Sequence, residues 1–519
     1  MRWIKFGFLI VMLFMLWGCQ SEKSSDNDIR GEVKGDLKIA LPSEPPTLDT
    51  HLNTTTISTL VARNIFESLV APDSNYDVQP MLAESFELLD DGKTIEFKLR
   101  QGVKFHNGEE MKAFDVVASM NRWIESSGTG KSTFEGAEFV EIDDYTVELQ
   151  MIHPTSTALI VLAYSGGEFP SIMPASIIEA SDGGMVDEYI GTGPYEFEEW
   201  KQNNYILLKK YEEYATREEP ADGLAGKREV FVENLYALIV PDSSTRVAGI
   251  LSGEYDAVID VPIDSTEQIN ANSDVVLEST PRDVFNLYFN KKEGLFANKI
   301  AREALAVGIN KEDMLKAAFI NPDYYNMTHH MMLANQESQW YSDIGKDQYD
   351  FQDEELAKEL FAEAGYDGEE LKIITSKDYD HMYNAAIVLQ EQLNKLGIAS
   401  HIEVYDWPTF TDIRNDPSKW DLTIIANTSK VEPTSLVFMR SDFAGWTEDP
   451  ELDELAEKLR RAPSMDEARQ VYDELQSWFL DYRPVIKIGD GNLLYASRKS
   501  ISPIEDVDGA IFWNVSKTE

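Results

Sequence analysis

His329 and His330 are adjacent in a chain that has seven histidines. Two imidazoles this close could ligate a metal, but neither an HExxH pattern nor a carboxylate facial spacing surrounds them. Ser127-Gly128-Thr129-Gly130-Lys131-Ser132-Thr133 looks like a phosphate loop. That loop needs a glycine five residues before Gly130, where Glu125 stands, and it follows a strand, whereas Ala113–Glu125 reads as a helix. There is no Gly-x-Ser-x-Gly elbow. Asp and Glu number 92, so a pair proposed as acid and base would not stand out from the background. These residues predict no catalytic group, no metal site and no cofactor. A binding role remains.

In open parallel sheets, ligands sit beyond the carboxyl ends of the strands. That rule selects Ser43-Glu44 after Leu37–Leu41, Asp260 to Pro262, Ser376-Lys377, Asp406-Trp407 and Asn427-Thr428. Trp407 would give a ligand an apolar wall. The elements that must hold these residues are strand–helix–strand units. Leu235–Val240, the helix Ser243–Leu251 and Asp256–Val261 form one. Leu371–Thr375, the helix His381–Leu396 and Ser400–Tyr405 form another, with Leu422–Ala426 as a further buried strand. Ala386, Val388, Leu389, Leu393 and Leu396 recur at helical spacing, and Gly397 supplies the stop. Strands joined through helices imply parallel pairing. Thr94–Arg100 and Tyr145–Met151 alternate instead, as antiparallel strands do. The expectation is two α/β lobes with an α+β insertion in the first.

The N-terminus reads as an address. Arg2 and Lys5 precede the apolar run Phe6–Trp17, whose helix would rise about 18 Å, short of a bilayer core of roughly 30 Å. The run therefore fits a secretory signal. Leu16-Trp17-Gly18-Cys19 resembles a bacterial lipobox, with Cys19, the single cysteine, as the lipidation site. Gln20–Gly35 is polar and reads as a flexible tether. No later stretch is long and apolar enough to span a bilayer. One cysteine excludes a disulfide framework, and a formal charge of −46 over 519 residues argues against a nucleic-acid partner.

Seven blocks in order, and a similar tail, carry a family resemblance. Asp36-Leu37-Lys38-Ile39-Ala40 leading to Glu44-Pro45-Pro46-Thr47-Leu48-Asp49-Thr50-His51 opens it. Asn64–Val70 and Pro80–Phe86 follow, then Phe97-Lys98-Leu99-Arg100-Gln101-Gly102-Val103-Lys104-Phe105-His106-Asn107-Gly108 with Ala113–Val117. Gly191-Thr192-Gly193-Pro194-Tyr195, Arg302–Ala306 and Ala362–Tyr366 come next, and Phe512-Trp513-Asn514-Val515 resembles the tail. Together they resemble the family 5 bacterial extracellular solute-binding proteins, departing at Lys112, where the family usually has Thr. The resemblance implies an α/β, two-lobed periplasmic-binding-protein fold in its large type II form, with an extra α+β subdomain in the first lobe. It implies a signal peptide at 1–18, a lipidated tether at 19–35 and lobe I at 36–72 and 190–284. The inserted subdomain would span 73–189, lobe II 285–487, and 488–519 would return to lobe I.

Such a chain would be a monomeric lipoprotein on the outer face of the cytoplasmic membrane. It would capture di- or oligopeptides and hand them to the permease of an ABC importer. A sugar, an opine or a metal chelate would be the alternative cargo, and a secreted hydrolase or a peptide-signal receptor more distant ones. By resemblance to oligopeptide-binding members, Trp407, His381 and the loop holding Asn427, Lys430 and Glu432 are expected ligand contacts; Glu44, at a strand's carboxyl end, and His51, closing the opening block, are expected to join them. In this loop the family's ammonium-pairing Asp is missing: allowing one gap, Ser429-Lys430 stands there, and Glu432 is the nearest substitute.

Overall fold

The computed structural model describes residues 35–89, 92–428 and 430–518. The expected signal peptide, Cys19 and all of the tether except Gly35 lie outside the described residues. The described chain is one unit of mixed α/β structure built on an eleven-stranded sheet.

One half of that sheet begins at Asp36–Leu41, whose Leu37, Ile39, Ala40 and Leu41 are all fully buried. This strand pairs in parallel with both Asn234–Ile239 and Ala257–Ile259. The unit expected across residues 235–261 therefore forms, but its two strands flank Asp36–Leu41 instead of pairing directly. Its helix, Ser243–Ser252, starts where the Asp242 carboxylate accepts from the Thr245 amide at 2.7 Å, and it stops at Gly253, φ +83°. The hairpin of Tyr195–Lys201 and Tyr205–Lys210 completes the edge.

The other half pairs Leu371–Ser376 in parallel with Ser400–Tyr405 and with Leu422–Thr428. Helix Asp380–Lys395 buries Met382, Ala385, Ala386, Leu389 and Leu393 against these strands, and Gly397, φ +80°, lets the chain leave it. Two long antiparallel strands, Val275–Phe289 and Val485–Arg498, join the halves. Val275 faces Arg498 at one end and Tyr288 faces Val485 at the other. The pairing slips between Pro281 and Asp283, where proline cannot donate, and again between Phe285 and Asn286. Such slips give the crossing strands a place to bend.

The first lobe carries a separate four-stranded antiparallel sheet, Ala83–Leu88, Thr94–Leu99, Thr146–Gln150 and Glu138–Asp143 in spatial order. Helix Ala113–Ser126 covers it, and Lys112 sits at its N-cap with its amide held by Asp115 at 3.0 Å. Past the long strands the tail packs on the first lobe. Ile501, Ile504, Val507, Ile511, Phe512 and Trp513 share one core with Leu37, Ile39 and Leu235, and the guanidinium of Arg228 lies 4.2 Å over the Trp513 ring. Among the described residues no helix is long and apolar enough to cross a membrane.

Candidate functional site

The strand-end rule brings residues from both halves together around the crossing strands. Asp260 follows Ala257–Ile259 and holds φ at +63°, a conformation that costs a non-glycine residue energy. Its carbonyl is fixed by the Arg246 guanidinium at 2.9 Å, so its exposed carboxylate is placed by the backbone. Within its electrostatic reach are Arg282, Tyr379 and His381. Arg282 forks onto Asp283, Nε at 3.1 Å and Nη2 at 2.9 Å. Asp283 thus holds the guanidinium charged more firmly than usual.

His381 opens the second-lobe helix and stacks on Phe319, ring centres 5.8 Å apart and planes 19° from parallel. Burial pushes its pKa below the ordinary value, although Asp283 pulls the other way, so the ring is neutral at physiological pH. Trp407 is half-buried, stacks on Phe410 at 5.1 Å and meets Tyr379 edge-on at 4.5 Å. Its amide donates to Asp378 at 2.7 Å. Asp406 caps the short helix that Trp407 begins, with Pro408 at the second position. Aromatic faces and mostly negative charge therefore gather at these strand ends.

A second cluster gathers residues far apart in the sequence. Tyr76, Tyr164 and Asp508 come from the first lobe, Gln336, Gln339, Trp340 and Val431 from the second, and together they enclose a narrow cavity. Hydrogen bonds cross it: Asn335 Nδ2 donates to the Tyr76 hydroxyl at 2.8 Å, and Gln339 Nε2 to the Tyr76 carbonyl at 2.7 Å. The Tyr76 hydroxyl in turn donates to Asp508 at 3.3 Å. Burial, with the charge of Asp506 added, pushes the Asp508 carboxyl up to about 6, against the pull of Arg63. Arg63 spends its hydrogen bonds on the carbonyls of Val507 and Ala510. Two carboxylates thus share one guanidinium that bonds to neither, and Glu278 adds a third negative charge beside Tyr495. Such a pocket favours a cation.

The sequence-expected contacts divide. Trp407 and His381 both meet the ring of Tyr379. Asn427 lies on Leu422–Thr428 and accepts from the Tyr288 hydroxyl. Lys430 offers its carbonyl to Gln336 at 3.0 Å. Glu432 is buried and turned onto its own loop, accepting from the Thr434 amide at 3.0 Å and from the Thr434 and Ser435 hydroxyls. Glu44 accepts from Trp200 Nε1 at 2.7 Å and the Asn203 amide at 3.0 Å, which ties the first strand's end to the edge hairpin. His51 is fully buried between the Ser171 carbonyl, 2.8 Å from Nε2, and Arg122, 3.0 Å from Nδ1. Arg122 also pairs with Asp49 at 2.6 Å.

The phosphate-loop lookalike is a short helix, Gly128–Thr133, whose first amides already meet Glu168 at 2.7 and 2.9 Å. His329 is spent on the Ser342 carbonyl at 2.6 Å. Sequence reasoning missed Tyr76, Arg282, Asp506 and Asp508. The last two lie just before the tail block at Phe512, and the tail's return to the first lobe was the one signal that could have pointed to them.

The family profile described as bacterial extracellular solute-binding proteins, family 5 Middle, matches residues 77–446. The probable peptide ABC transporter periplasmic-binding protein y4tO of Sinorhizobium fredii is 28% identical, covering 90% of this chain and 91% of that protein. The oligopeptide-binding protein AppA of Bacillus subtilis is 24% identical, covering 96% of this chain and 94% of its own. Among solved structures, AgaA of A. tumefaciens R10, in complex with agropinic acid, superposes with a TM-score of 0.70 at 25% identity. It covers 92% of this chain and 96% of its own.

Proposed function

The chain belongs to the family 5 bacterial extracellular solute-binding proteins, and from that premise we propose that it is the peptide-capturing subunit of an ABC importer. In this reading Cys19 carries the lipid that holds the protein at the outer face of the membrane. A peptide enters between the open lobes, the lobes close over it, and the closed form is what the permease receives. Closure needs no energy source beyond the ligand's preference for the closed state.

The observation that carries the reading is the charge of the interlobe space. The loop at 427–432 turns its one carboxylate, Glu432, inward onto Thr434 and Ser435. Asp508, with Asp506 behind it and only Arg63 to balance both, is placed to accept the peptide's ammonium instead. Trp407, Tyr379 and His381 offer apolar faces to side chains. One specific fact favours a second reading: AgaA holds agropinic acid in the same fold, so an opine is the rival cargo.

Native mass spectrometry of the purified full chain tests the proposal, with any retained ligand identified after denaturation. Peptides are the expected finding. A retained opine, sugar or metal chelate with no peptide would overturn it.

A further inference from the structure

A cavity of roughly 260 Å³ lies away from the interlobe space, and every residue lining it falls between Glu303 and Lys487. Two cations face it without a carboxylate to bond. Lys311 is only 5% exposed, and its ammonium donates to a single partner, the Ala306 carbonyl, at a long 3.4 Å. Beyond that it has the ring of Tyr349, 5.4 Å away. Arg483 closes the helix Met465–Tyr482 in a left-handed conformation, φ +53°, and lines the cavity. Among the described residues its guanidinium makes no hydrogen bond and no ion pair. The two positive charges also repel each other, and that repulsion adds to burial in holding Lys311 down to about 8.

The other charged groups around the cavity do not cancel this pair. Lys487 is committed to Asp490 at 2.7 Å and to two carbonyls. His329 is held by Ser342. Asp350 lies near Lys311, and Glu303 and Asp481 near Arg483, but none comes within ion-pair distance. In a chain of net charge −46, a cavity with two unneutralised cations is charged against the trend. Its remaining wall is apolar: Phe351 and Leu356 stand exposed at the rim, with Phe479 and Leu480 beside them.

We propose that this cavity is a second ligand site, for a small organic monoanion with an apolar body, its carboxylate held by Lys311 and Arg483 and its chain lying against Phe351, Leu356 and Leu480. Charge-assisted hydrogen bonds to a carboxylate supply the affinity and the apolar wall selects the body. The site is independent of the peptide reading, because no first-lobe residue lines it.

Calorimetric titration of the purified full chain with hexanoate tests this. Saturable binding is expected, with 1-hexanol at least about tenfold weaker because it carries no charge. Lys311→Met and Arg483→Gln each weaken hexanoate by about tenfold or more, while Lys311→Arg and Arg483→Lys retain it, which separates lost charge from lost fold. Affinity falls as pH rises past about 8 in the unaltered chain but not in Lys311→Arg. Trp407→Ala leaves hexanoate binding unchanged. The proposal is overturned by an absence of binding, by equal binding of hexanol, by binding that survives both charge-removing changes, or by loss of binding in Trp407→Ala.

Discussion

The side-chain amide of Asn335 donates to the hydroxyl of Tyr76 at 2.8 Å, and the two residues come from opposite lobes. Tyr76 passes the interaction on, since the same hydroxyl donates to Asp508. One phenolic oxygen thus links this contact to the carboxylate proposed to hold the ligand. Removing it should loosen closure and leave both cores intact.

Tyr76→Phe is therefore expected to weaken ligand binding about fivefold, the worth of one ordinary hydrogen bond. The thermal midpoint should hardly move, and small-angle scattering of the ligand-free protein should show a larger radius of gyration. Unchanged affinity and radius together would mean that this contact does not govern closure.

Asp508→Asn separates stability from function. The carboxyl is pushed up to about 6 by burial, above the ordinary 3.8, so ionising it at neutral pH opposes folding. The amide should stabilise the ligand-free protein by about 1–2 kcal/mol and weaken peptide binding at least about tenfold. In the unaltered protein, peptide affinity should rise with pH through about 6 and fall again as the peptide ammonium deprotonates near about 8. A free amino terminus should be required; if an N-acetylated peptide binds equally well, the ammonium assignment is wrong.

Trp407→Ala should weaken binding about tenfold and cost less than about 1 kcal/mol of stability, because the ring is only half-buried and leans on Phe410 from outside the cores. Calorimetry and denaturant unfolding measure the two effects separately. Intact affinity would remove the residue from the site.

Arg122→Met should destabilise by about 3–5 kcal/mol, since it leaves Asp49 buried and ionised without its partner. The same network makes a pH prediction. Burial and the Arg122 charge push His51 down to about 4 from the ordinary 6.5. The unfolded chain therefore takes up the proton first. Stability from this group is complete above about 6.5 and is lost as pH falls toward about 4, by up to about 3 kcal/mol. His51→Gln should flatten denaturant midpoints over that interval, and an unchanged slope would argue against this origin.

How much was readable in advance depended on the range of the interaction. Helix Asp380–Lys395 announces itself through apolar spacing and Gly397, and Ser400–Tyr405 occupies the span expected of it, because period and stop signals are local. The strand–helix–strand unit across residues 235–261 was legible too. That Asp36–Leu41 lies between those strands was not, because strand order depends on contacts about 200 residues apart. Glu44 was selected as a strand end and His51 for its place in an ordered motif; their partners, Trp200 and Arg122, were fixed only by folding.

By itself, then, the sequence determined the element types, the family resemblance through ordered blocks and the absence of a recognisable catalytic constellation. Tertiary structure alone decided which charges face one another. It turned Glu432 inward, brought the tail's Asp508 against Tyr76, and set Lys311 beside Arg483. Electrostatic character is a property of distance in space, and in a chain with 92 acidic residues nothing in their order along the backbone singles out the few that matter.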